Sequence, residues 1–252
     1  MQAVLELDLV WRIIVLCSIP IVFALLLQWV THSSPLADFF QGYVGVQGPY
    51  FVSVAILFAL FSTFLGADIW SRVQQTNHSL ENEVGAILSL RQIASTQGPN
   101  GAEIEQGLNS YIETSLADEW ATEDRGRSAT VDQALEQLVT NILNPALASD
   151  DHRTAQAAML DSYRDIRQAR AERLHVAASH SDPYKWATVL MLGLLTQVAI
   201  ALVHFENRKA QSAALLVFTC AFVVTLISLA AHESPLADLD LISPESIQRL
   251  SK

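Results

Sequence analysis

Cysteine is almost absent from this chain: there are two in 252 residues, Cys17 and Cys220, and both fall inside long apolar stretches. No disulfide framework and no cysteine metal set can be built from them. They read as small lipid-facing or packing residues. Positive charge is scarce as well, with 15 Lys and Arg against 26 Asp and Glu and a net charge of −11. Without a basic stripe to meet phosphates, a nucleic-acid partner is not expected. The glycines form no phosphate-cradling loop, and no nucleophile elbow is present. His78, His152, His175 and His180 lack metal-ligand spacing, so neither a metal nor another cofactor is expected. Glu81 with Glu83, and Asp118 with Glu119, occupy alternate or adjacent positions, which do not face one site on a helix. No second, convergent set for acid–base work is apparent, and the chain does not read as an enzyme.

Four long apolar stretches are what the sequence does have, at about 9–30, 50–69, 184–205 and 212–231. A bilayer core ~30 Å thick takes about 20 residues of helix, and each stretch suffices. The first is too long for a signal-peptide core of ~7–15 residues and reads as an uncleaved span. Trp11 and Trp29 bracket the first stretch, Tyr50 and Trp70 the second, and Tyr184 and Trp186 open the third. Amphipathic rings favour the headgroup level, so these residues read as interfacial belts. The expected fold is therefore all-α: an integral membrane protein with four transmembrane helices and a helical domain between spans 2 and 3. The expected organisation is a transmembrane hairpin over 1–70, an acidic helical domain over 71–183, and a second hairpin with a short tail over 184–252.

Lys and Arg near span ends mark the cytoplasmic side. Arg12, Arg72, Arg91, Arg173, Lys185, Arg249 and Lys252 fall on the side shared by both termini and the middle domain. Only Arg208 and Lys209 fall on the other, and the loop 31–49 has no Lys or Arg. The expectation is a multi-pass protein of the cell inner membrane, with termini and residues 71–183 in the cytoplasm.

The middle domain has helical periodicity. Leu80, Val84, Ile87, Leu88 and Ile93 form an apolar stripe that continues out of the second span, with no breaker after Trp70. Gly98-Pro99-Asn100-Gly101 is a turn signal. A second helix carries Ile104, Leu108, Tyr111, Ile112, Leu116 and Trp120, and ends in the polar run 123–126. Thr130 with Gln133 resembles a capping box opening a third helix, which Asn144-Pro145 weakens near its end. A fourth runs from about 151 to 178, and Ser181-Asp182-Pro183 caps the third span.

Two groups stand out as candidate sites. Arg164, Arg167, Arg170 and Arg173 recur every third residue, and each step turns roughly 60° round a helix, so they form a spiral. They can act as a cationic collar that attracts anions at a cytoplasmic mouth. They can equally pair with Asp161, Asp165 and Glu172, or with acidic helices opposite. On the second span, Leu57, Phe61 and Phe64 share helical spacing and are candidate pore-lining residues. Ala55, Ala59, Ser62 and Gly66 are small enough to let helices approach closely. The same residues also suit ordinary packing. No ionisable residue sits near the middle of a span, with Gln28 and Gln197 the more polar exceptions, which argues against a proton-coupled pump. It suits a pore gated by apolar side chains through dewetting. The segments 32–38 and 232–238, HSSPLAD and HESPLAD, agree at six of seven positions and read as span terminators.

The run FLGADIWSRVQQTNHSLENEVGAILSLRQIA, then YIETSLADEW, then RQARAERL, and the closing HESPLAD and ISPESI together resemble the bestrophin-like family, a domain-of-unknown-function family of bacterial four-span membrane proteins. At the tail, Leu236 and Asp238 stand where the family has Phe and Gly. True bestrophins are pentameric ion channels with four spans per subunit and an aromatic-aliphatic neck on the second. The resemblance implies a homo-oligomer, a pentamer if bestrophin-like, with Phe61 and Phe64 in such a neck. The chain has no obvious acidic calcium clasp, so calcium gating is not expected. Two functions follow. One is an oligomeric ion channel. The other is a membrane-anchored scaffold or sensor whose acidic cytoplasmic helices bind a protein partner. The lipid bilayer is a partner in both.

Overall fold

The computed structural model describes residues 4, 7, 9–33, 49–120, 126–144, 153–179, 181–233 and 247, which are helical with short connections and contain no strand. Seven α-helices are α1 (Leu9–Ser33), α2 (Pro49–Ser95), α3 (Pro99–Thr114), α4 (Ala129–Ile142), α5 (Arg153–Ala178), α6 (Pro183–Val203) and α7 (Arg208–Ala231). A π-helical turn, Ser115–Trp120, follows α3 directly. Among the described residues, α1, α2, α6 and α7 are long and apolar enough to cross a bilayer. The chain divides into two compact units, one of residues 1–71 and 180–234, the other of residues 72–179 and 235–252. Most of both HSSPLAD-type segments, the polar run 123–125, and Pro145 lie outside the described residues.

Helix ends follow from local chemistry. Asp182 caps α6 by accepting from the Tyr184 amide at 2.9 Å, and Pro183 occupies the first turn, where its missing N–H costs nothing. Asn207 caps α7 through the Lys209 and Ala210 amides, both at 3.1 Å. α4 opens on Ser128, whose hydroxyl accepts from the Thr130 amide. The start is therefore two residues earlier than the Thr130–Gln133 pair suggests. Gly98 turns the chain between α2 and α3 at φ 61°, a left-handed conformation that glycine adopts without Cβ strain.

The apolar unit is centred on Leu16 of α1, Leu65 and Ile69 of α2, Trp186, Val189 and Leu190 of α6, and Phe222, Leu226 and Ala230 of α7. In lipid this core is held by close packing rather than by escape from water. Gly193 of α6 allows it: a Cβ there would sit 2.2 Å from the Phe222 ring. Asp68 of α2 pairs with Lys185 of α6 at 2.9 Å. Trp11, Trp29, Trp70 and Tyr184 lie more than half exposed on these helices, as belt residues would. Trp186 does not: it is fully buried, and its Nε1–H donates to Glu233 at 3.2 Å, because the acceptor lies inside the unit.

The polar unit has its own core. Leu80, Ile87 and Leu90 of α2 meet Ile104, Leu108 and Ile112 of α3, Val131, Leu135 and Leu138 of α4, and Met159 and Ile166 of α5. Each such side chain, fully buried in water, contributes about 1.5–3 kcal/mol. α2 runs unbroken from Pro49 to Ser95 and contains both the apolar stretch at 50–69 and the stripe of this core.

Candidate pore face and a buried charge network

Leu57, Phe61 and Phe64 recur at four- and three-residue spacing and share one side of α2. They are 43, 38 and 58% exposed. Phe61 meets Phe64 edge to face, with ring centroids 6.3 Å apart. One residue further along, and about 100° round the helix, Phe58 and Leu65 enter the core of the apolar unit. The three neck candidates thus lie on a side of α2 that the core does not cover. Of the small residues, Gly66 approaches Leu229 of α7, while Ala59 is exposed.

The four arginines of α5 divide into two pairs. Arg164 and Arg167 are exposed. Arg164 pairs with Asp161 at 2.8 Å on the same helix, and Arg167 lies over the Tyr163 ring at 5.9 Å. Arg170 and Arg173 are 6% and 1% exposed and face inward. Arg173 donates from Nε to Glu83 at 2.9 Å and from Nη2 to Glu119 at 3.1 Å, so one guanidinium joins α2 to the π-helical turn. Arg170 donates to Glu119 from Nη2 at 2.5 Å and to Asp132 of α4 from Nη1 at 2.7 Å. Tyr111 of α3 donates its hydroxyl to Glu83 at 2.5 Å. The Arg173 guanidinium lies 4.8 Å above the Trp120 ring.

Electrostatics follow from this geometry. Burial disfavours the Arg173 cation, but the Glu83 charge and hydrogen bond outweigh it and hold the proton more tightly than in an ordinary arginine. Burial and the negative charge of Glu83 push the Tyr111 phenol well above its usual range, keeping it a donor. Burial pushes Asp132 up, yet the hydrogen bonds from Arg170 and Arg127 bring it below the usual carboxylate range. The network is a charge-balanced tie between helices of one unit.

The spacing of the acidic residues predicts no convergent carboxylates, yet Glu83 and Glu119 converge on Arg173. The signal lay inside the apolar stripes. Glu83 stands three residues after Leu80 and four before Ile87, on the buried side of α2. Arg170 and Arg173 stand four and seven residues after Ile166, on the buried side of α5. The π-helical turn, whose buried residues are Ser115, Glu119 and Trp120, had no sequence signal. Among the described residues no group of three or more His, Cys, Asp or Glu side chains is placed to hold a metal.

The apolar unit keeps a few buried polar groups. Gln197 of α6, fully buried, donates to the Pro20 carbonyl of α1 at 3.1 Å and to Thr219 of α7 at 2.9 Å. Gln211 of α7, also fully buried, donates to the Ala201 carbonyl at 2.8 Å and lies 2.7 Å from His32 Nε2. Such bonds stitch apolar helices together where no water competes.

Long apolar helices and a helical unit built on an internal charge network define a helical membrane protein. The chain belongs to the bestrophin-like family, whose domain matches residues 18–247. Its fold is similar to that of a mutant bacterial bestrophin homologue from Klebsiella pneumoniae, with a TM-score of 0.69 and 14% identity over 98% of this chain and 96% of that one. A second structure of a bestrophin homologue from Klebsiella pneumoniae, phased with zinc, gives a TM-score of 0.65 and 15% identity over 97% and 96% of the two chains. No curated protein matches the chain.

Proposed function

We propose that the protein is a homo-oligomeric ion channel of the inner membrane, in which α2 of each copy faces a common pore. Leu57, Phe61 and Phe64 form its neck, and residues 71–183 face the cytoplasm. The supporting observation is how bare α2 is, together with the aromatic row on its open side: 11% of its apolar window is buried, against 17% for α1, 33% for α7 and 44% for α6. A helix so little covered by its own chain, with aromatic side chains aligned on an open side, is suited to meeting copies of itself around an axis. Bestrophin-like membership makes a channel the function to expect of that arrangement. The neck would gate by dewetting, since apolar side chains rather than charges line it. Arg164 and Arg167 are the water-facing members of the arginine run; Arg170 and Arg173 already face carboxylates.

Purified protein in planar bilayers tests this. Oligomeric particles should carry ionic current, and Phe61→Ala or Phe64→Ala should raise the open fraction severalfold by widening and wetting the neck. A monomeric particle without conductance overturns the reading.

A further inference from the structure

The apolar unit holds a buried polar atom that its own chain does not satisfy. Gln197 of α6 is fully buried, and its Oε1 faces no donor among the described residues. Turning the amide round would not mend this. Its Nε2 lies 3.1 Å from the Pro20 carbonyl of α1, which is an acceptor only, so the nitrogen must stay on that side. The same Nε2 donates to Thr219 of α7 at 2.9 Å. Both amide hydrogens are thereby spent, and Oε1 is left on the other arm of the amide.

Two further groups at this junction are unspent. Thr219 is 7% exposed, and its Oγ1 accepts from Gln197 without donating to any described residue. Other threonines of the apolar helices behave differently: Thr63, Thr188, Thr196 and Thr225 each donate to the carbonyl four residues back, at 2.8–2.9 Å. Thr219 therefore keeps a hydroxyl hydrogen to give. On α1, Pro20 has no N–H with which to serve the Leu16 carbonyl, and Leu16 is fully buried. Four residues are close to one turn, so that carbonyl opens on the same side of α1 as the Pro20 carbonyl, about 6 Å along the axis.

Lipid offers no donor to an amide oxygen, so the partner must be held inside the protein. An acceptor on α6, an acceptor on α1 and a donor on α7 match water, which gives two hydrogen bonds and takes one. Buried waters make about three such bonds to otherwise unsatisfied groups. Hard cations such as Ca²⁺ take about six or more oxygens, which this junction does not offer.

We propose that one trapped water molecule completes this junction, donating to Gln197 Oε1 and to the Leu16 carbonyl and accepting from the Thr219 hydroxyl. It makes α1, α6 and α7 share one polar joint near the midpoints of α1 and α7, where Pro20 and Thr219 lie. The site needs these three helices only, so it stands or falls apart from the channel reading.

The test is a crystal structure of the full-length protein, grown from lipid at a resolution that shows ordered water, once in sodium and once in rubidium buffer. One peak should stand at hydrogen-bond distance from Gln197 Oε1, about 2.5–3.0 Å, with the same height in both salts. The peak should vanish in Gln197→Met. In Thr219→Val, which keeps the shape and loses the hydroxyl, it should fall below half its wild-type occupancy. No peak in the wild-type protein overturns the proposal, and that result decides even if neither variant folds. A peak that carries an anomalous signal in rubidium also overturns it and makes the junction a site for a monovalent cation. A peak that survives both substitutions unchanged belongs to other groups and overturns it as well.

Discussion

Arg173 is shared between two carboxylates and shut away from water, which decides what its loss would do. Glu83 and Glu119 are both fully buried beside it. A buried pair adds little net stability over a well-packed apolar substitute, because desolvation offsets attraction. Removing one partner alone is different, since it strands charge in a low dielectric. Arg173→Met should therefore lower the unfolding free energy of the polar unit by about 3–5 kcal/mol. Arg164→Met, at a side chain 74% exposed, should change it by no more than about 0.5 kcal/mol. Denaturant unfolding followed by tryptophan fluorescence reads the first directly, because Trp120 packs against the Arg173 guanidinium. Equal costs for the two substitutions would contradict the division of the arginine run into buried and exposed pairs.

Among elements, α6 and α7 show how much depends on one absent side chain. Phe222 lies fully buried against Phe58 at 5.1 Å and Phe218 at 5.9 Å, and its ring fills the space a Cβ on Gly193 would need. Gly193→Ala should cost about 1–3 kcal/mol through overpacking. Combining it with Phe222→Leu should recover part of the melting temperature lost by Gly193→Ala, because the shorter side chain vacates the clash. Non-additivity in that pair is the measurement, and additive losses would count against the contact. Elements were the legible scale in the sequence. The apolar stretches, the run of α2 past Trp70, the turn at Gly98 and the Asp182 cap all follow from periodicity, chain length and capping chemistry. Pairings between elements were not legible. Glu83, Glu119 and Arg173 come from three distant segments; pairing of the arginines with acidic helices opposite is one of the sequence's expectations, but which carboxylates they meet depends on helix packing. The lost turn regularity at Ser115–Trp120 depends on that same packing, so no local pattern marks it. On α2 the spacing of Leu57, Phe61 and Phe64 was visible, but that their side lies off the core was not.

For the whole molecule, charge distribution carries the topology. Seven Lys or Arg residues near span ends lie on the side of the termini and the polar unit, against Arg208 and Lys209 on the other. In the topology proposed above, that bias would orient the chain with residues 71–183 inside. It separates Glu103, an exposed residue of α3, from Glu206, an exposed residue between α6 and α7. In chains lacking Cys17 and Cys220, Glu103→Cys and Glu206→Cys place one thiol on each proposed side. An impermeant maleimide added to intact spheroplasts should label position 206 and leave 103 untouched, and lysis should expose both. Labelling of 103 alone in intact spheroplasts would invert the protein, and labelling of both would mean that α6 does not cross. Either result would remove the cytoplasmic setting of residues 71–183 that the channel reading assumes, whereas the expected pattern keeps it.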